Sequence, residues 1–128
     1  MAEKFKDVTI NGMKFRLGVP SSRDGVWIIT AMQAGKYTEP QTYARIQDIV
    51  LNKVQYIRPV NGEEIPQPLY FNGKWLVPDL NLDSDVDTAF KLTEEAIEFV
   101  TGPTLLYLIE KAEKAQAESA AKAQSTSQ

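Results

Sequence analysis

The chain has 128 residues, 43% of them hydrophobic and 24% charged, with a net charge of -3; this suits one globular domain with a real core and is too short for two. It contains no cysteine and no histidine. Those absences exclude disulfides, thiolate zinc sites, histidine triads and thiol chemistry, leaving only carboxylate, lysine or hydroxyl groups for any catalysis.

The N-terminus, Met1-Ala-Glu-Lys-Phe-Lys, carries mixed charge and no apolar run, so no signal peptide is expected. No stretch approaches the roughly 20 apolar residues of a membrane span. The composition therefore predicts a soluble, cytoplasmic protein. Charge is unevenly spread: residues 1–58 hold nine Lys/Arg against five acids, a surplus of four, and residues 77–109 hold seven acids against Lys91. Two solvated faces account for this, although such a chain can also pair head to tail with its own copies.

The first predicted element is a hairpin. Val8-Thr9-Ile10 and Met13-Lys14-Phe15 flank Asn11-Gly12, a strong type I′ turn signal. In that register Ile10 faces Met13 and Val8 faces Phe15 on the core side, while Thr9/Lys14 and Asp7/Arg16 face water. A helix over 22–34 follows, with serine N-caps at Ser21 and Ser22 and Gly35 as its stop. Val26, Trp27, Ile28, Ile29, Ala31 and Met32 surround its axis, which predicts a buried central helix. A second, amphipathic helix starts at Thr38, with Gln41 completing a capping box, and ends near Tyr56.

Residues 57–78 carry Pro59, Pro66, Pro68 and Pro78 together with Asn61-Gly62 and Asn72-Gly73 turns. Edge strands or irregular loops are expected there, with Tyr70 opposite Trp75 in a short hairpin. An acidic loop over 79–87 leads into a helix over 88–100, Gly102-Pro103 breaks the chain, and Thr104 opens a fourth helix. The fold class is thus α+β: an N-terminal β-hairpin on a bundle of about four helices, with a Pro-rich β/loop segment in the middle. Residues 1–110 make the single domain. Residues 111–128 form a polar Ala/Lys/Glu/Gln/Ser tail, partly helical and then disordered by about residue 119.

The candidate sites are few. Asp83-Ser-Asp85-Val-Asp87-Thr88 with Glu94 places acids as an EF-hand loop does, but Thr88 stands where a glycine is needed and Lys91 would lie beside the ion. Capping of the next helix by Asp85 or Asp87 accounts for these acids better, and no metal or other cofactor is expected. Glu94 and Glu98 read as solvated. No phosphate-binding glycine motif and no basic stripe with interleaved aromatics occurs, so neither nucleotide nor nucleic acid is expected. The oddity is Leu105-Leu106-Tyr107-Leu108-Ile109. Leu105, Leu108, Ile109 and Ala112 share a side that can dock on the domain. Leu106 and Tyr107 fall among charged residues and predict either a partner-binding surface or cover by a neighbouring loop, with Leu92 and Phe99 as the next candidate edge.

Taken in order, the Val-Thr-Ile-Asn-Gly-Met-Lys-Phe hairpin, the helix after a Pro-Ser turn, Ala34-Gly35-Lys36-Tyr37 and Asp48-Ile-Val-Leu-Asn-Lys-Val54 lead to an acidic loop, two helices and a polar tail. Over about residues 7–110 this layout resembles the tail assembly chaperones encoded just before the tape measure gene in long-tailed bacteriophages. The Pro-rich segment at 57–78 has no counterpart in that layout. The resemblance implies a non-enzymatic protein of the host cytoplasm that binds and solubilises the tape measure protein. It also implies possible homo-oligomers and, through a frameshifted longer product, recruitment of tail tube protein. The other readings are a structural tail or head-tail connector subunit, a calcium-regulated binding module resting on Asp83–Glu94, and a more distant carboxylate enzyme.

Overall fold

Three Asn-Gly pairs set the β architecture. In the computed structural model, which describes residues 4–126 and side chains as far as 120, Asn11, Asn61 and Asn72 have φ of 50°, 50° and 44°, each followed by a glycine at positive φ. This left-handed pair is what a type I′ turn requires. The turns join strands β1 (Phe5–Ile10) to β2 (Met13–Gly18), β3 (Gln55–Val60) to β4 (Glu63–Pro68), and β5 (Tyr70–Phe71) to β6 (Lys74–Trp75). A four-stranded antiparallel sheet has the order β1-β2-β3-β4, and β5-β6 stands as a separate ribbon.

The first hairpin has the expected register, with Ile10 opposite Met13, Val8 opposite Phe15 and Asp7 opposite Arg16. Phe15 and Leu17 are fully buried on the helix side, and Phe15 meets Tyr56 of β3 at 5.9 Å between ring centroids. Arg16 and Lys14 point to the other face, where Arg16 Nε donates to Asp7 at 2.8 Å and Lys14 Nζ lies 2.6 Å from Glu64.

Helix α1 spans Ser22–Gln33, with Ser21 Oγ accepting from the Asp24 amide at 3.2 Å, and Gly35 turns the chain at φ 73°. It is not the central helix. Ile28 and Ala31 are buried, but Val26 is 62% exposed, and Arg45 covers Trp27 from 4.0 Å. One side rests on the domain and the rest is surface.

Helix α2 runs Pro40–Leu51, shorter at both ends than its periodicity predicts. Pro40 takes the first helical turn, where a missing N–H costs nothing, so Glu39 is the cap residue and no Thr38–Gln41 box forms. At the other end Gln55–Val60 leaves the helical pattern and becomes β3, an interior strand paired on both sides. Its Pro59 lies beyond the two residues that pair with β2, so no hydrogen bond to that strand is lost.

The central element is α3, a single helix over Val86–Thr126 of 41 residues with Pro103 inside it. There are accordingly three α-helices, and the expected break at Gly102-Pro103 does not occur. Pro103 removes one donor, the one owed to the Phe99 carbonyl, at a point where the helix is leaving the core. Ala, Leu, Glu, Lys and Gln on its C-terminal side favour helix strongly enough to continue. Where disorder was expected from about residue 119, the helix continues to Thr126, and every residue of 110–120 is exposed. The part of that expectation falling on 127–128 lies outside the described residues, as do residues 1–3 of the N-terminal segment read above for a signal peptide.

The first half of α3 supplies the core stripe. Leu92, Ala96 and Ile97 pack with Ile28 of α1, Ile46 and Val50 of α2, and Ile10, Phe15 and Leu17 of the sheet. Thr88, Thr93 and Thr101 are also buried, and their hydroxyls donate to Asp85 Oδ2, the Ala89 carbonyl and the Ile97 carbonyl at 2.7, 2.7 and 2.8 Å. Small side chains with internally satisfied hydroxyls let neighbouring elements come close without leaving a polar atom unpaired.

Gly18 tests this packing at the sheet's far end. A Cβ there would lie 2.6 Å from the Lys53 carbonyl oxygen, a backbone atom that cannot step aside. Gly18→Ala is expected to cost about 1–3 kcal/mol in denaturant unfolding; an unchanged midpoint would show that the 51–55 segment shifts freely.

Candidate functional site

Three of the acids that suggested a calcium loop, Asp85, Asp87 and Glu94, have other work. Asp85 is the N-cap of α3, its Oδ1 accepting from the Thr88 amide at 3.1 Å. Asp87 accepts from Asn11 Nδ2 at 3.0 Å and from Lys91 Nζ at 2.9 Å. The Asn11 bond, then the Lys91 bond, holds its carboxyl below the usual carboxylate range. Asn11 Nδ2 also reaches Thr88 Oγ1 at 2.7 Å. The tip of the first hairpin is thereby tied to the first turn of α3. Among the described residues no group of three or more acids is gathered closely enough to hold a metal ion.

A second polar cluster joins α2 to α3. The Tyr37 hydroxyl donates to Glu94 Oε2, and Tyr43 reaches the same oxygen at 3.5 Å. Gln47 Nε2 donates to Thr93 Oγ1 at 3.1 Å. Burial, reinforced by the Glu94 charge, pushes the Tyr43 hydroxyl up to about 12 and that of Tyr37 further still. Tyr70 behaves likewise through burial and its bond to Asp48. These groups fasten elements together.

A shallow groove of about 530 Å³ lies between α2, the β5–β6 ribbon and the start of α3. Tyr70 and Trp75 meet edge to face across the ribbon at 4.9 Å, as their expected pairing requires. Asn52 clamps the ribbon by accepting from the Asn72 amide at 2.9 Å and donating to its side chain at 2.8 Å. Val86 and Phe90 stand exposed at the α3 side. Sequence periodicity missed them: Val86 had been placed in the acidic loop, and Phe90 sits just off the stripe that α3 buries.

The predicted partner residues separate sharply. Leu92 is fully buried and belongs to the core, and Phe99 is half-buried against it, so the proposed second edge does not exist as a surface. Leu106 and Tyr107 are each 58% exposed. Ile109, expected to dock on the domain with Leu105, Leu108 and Ala112, is 54% exposed, Ala112 is exposed, and Leu105 and Leu108 are half-buried. Among the described residues none after Thr101 belongs to the core cluster or to the partly buried hydrophobics packed against it. The C-terminal half of α3 therefore stands clear of the domain, carrying three large apolar side chains within four residues. Among the described residues no helix is long and apolar enough to cross a membrane.

The tyrosine clamps predict a pH dependence. Raised hydroxyls favour the folded state while neutral, so this contribution is fully present below the unfolded value of about 10 and is lost as pH rises through about 12. Denaturant unfolding at stepped pH should show stability falling across that window, and falling less in Tyr43→Phe. Titration of all tyrosines near 10 with unchanged stability would contradict the clamps. Comparison of the chain with protein-family models, with curated proteins and with solved structures finds no match, leaving geometry and chemistry as the basis for a functional reading.

Proposed function

We propose that this chain is a tail assembly chaperone of a long-tailed bacteriophage, acting in the host cytoplasm by holding apolar helical surface of the tape measure protein before the tail tube polymerises. The observation that carries this reading is the second half of α3, where Leu106, Tyr107 and Ile109 are exposed on a helical segment outside the core that the first half builds. Clustered apolar side chains on a projecting element are costly in water and mark association surfaces. A helix presenting them suits a helical partner, because apolar residues spaced along one helix seat between those of another. The layout of hairpin, helices and polar C-terminal segment supports the family assignment, and the mutual engagement of the polar groups beside the groove supports binding over catalysis.

Co-expression with a tape measure protein tests it. The wild-type chain should keep that partner soluble and co-purify with it. Leu106→Ala with Tyr107→Ala should weaken capture by about 1–2 kcal/mol or more and leave the thermal midpoint nearly unchanged, since neither side chain lies in the core. Undiminished capture by the double variant would exclude this surface. Recovery of the chain in purified virions would favour a structural subunit instead.

A further inference from the structure

The two edges of the four-stranded sheet are chemically different. A two-residue turn closes on a hydrogen-bonded pair, and hydrogen-bonded and non-bonded pairs then alternate along the hairpin. From the closing pair Val60–Glu63, the β4 residues whose backbone points away from the sheet are Glu64, Pro66 and Pro68. Two of those three have no N–H. The prolines thus fall at the positions where they blunt the outer edge and spare the bonds to β3.

The β1 edge has no proline at its outward positions. From the closing pair Ile10–Met13, the residues Phe5, Asp7 and Thr9 direct N–H and C=O outward. All three have exposed side chains, and among the described residues no backbone hydrogen bond beyond the hairpin's own engages them. An open strand of 6 residues is a template for another strand.

We infer that the β1 edge is a homodimer interface, in which β1 pairs antiparallel with β1 of a second copy about a two-fold axis at Val8, giving one continuous sheet. The occupant follows from the strand's own pattern. Centring the axis on Asp7 sets two carboxylates face to face, and centring it on Lys6 sets two ammonium groups together. The Val8-centred register puts Asp7 opposite Thr9, Lys6 opposite Ile10 and Val8 opposite Val8, with no like charges paired. Because the β4 edge is blunted, the pairing closes at two copies and cannot propagate into a fibre. This interface does not rest on the chaperone reading, which concerns α3.

Sedimentation of the full chain from micromolar to millimolar concentration, with residue-resolved amide exchange at both ends of that range, tests the proposal. At high concentration the mass should double, and the Asp7 and Thr9 amides should slow by about tenfold or more. Lys6, Val8 and Ile10, already bonded to β2, should change little. Thr9→Pro, which removes an outward donor and no hairpin bond, should sediment as a monomer. A monomer at millimolar concentration overturns the proposal. So does a dimer in which Asp7 and Thr9 exchange as freely as in dilute solution, which would place the contact elsewhere, whether or not Thr9→Pro folds.

Discussion

Everything in this molecule depends on one helical stripe. Leu92, Ala96 and Ile97, with the buried threonines at 88, 93 and 101, face the β1–β2 hairpin, α1 and α2 together. Fully burying a side chain the size of leucine or isoleucine contributes about 1.5–3 kcal/mol, and the same stripe serves three neighbours that share few contacts with one another. Its position along the chain is fixed at its start. Asp85 caps the first turn and Asn11 bonds to Thr88 and Asp87, so hairpin and helix are held in register by hydrogen bonds whose partners lie 76 and 77 positions apart.

The length of that stripe decides what the rest of α3 can do. Full burial ends at Thr101, yet the helix continues to Thr126. At 1.5 Å per residue the 41-residue helix is about 60 Å long, of which more than half lies past the core. An unpacked helix of that composition is held by local propensity, which is marginal without a packed face. It is consequently the part of the fold most easily reshaped by a partner. The first half gives the second a rigid base, and the second offers Leu106, Tyr107 and Ile109 to whatever covers them.

Local chemistry was legible where it depended on few residues. The Asn11-Gly12 and Asn72-Gly73 turns determined both hairpin registers, and Ser21 and Asp85 announced their caps. What failed was extent. Gln55 and Tyr56 continued α2 closely enough to be read as its last turn, although pairing with β2 on one side and β4 on the other makes them the start of a strand. Pro40 belonged at a helix start and was passed over for Thr38. Gly102-Pro103 predicted a break, because sequence alone cannot show that strong helix formers follow on an exposed segment free of packing constraints. Trp27 and Met32 made α1 look central, whereas the centre went to the helix whose threonines allow close approach. Leu106 and Tyr107 were identifiable as surplus apolar residues. Ile109 was not, since its exposure follows from where the core ends and not from its position on the helix.

Amide hydrogen exchange along α3, measured in dilute monomeric protein, tests this account most directly. A helix docked only to Thr101 predicts slow, globally coupled exchange over residues 89–101 and rapid exchange beyond residue 105, despite helical backbone on both sides. Equally slow exchange running past residue 110 in the monomer would contradict it, because it would mean that the C-terminal half is packed and its apolar residues are already covered.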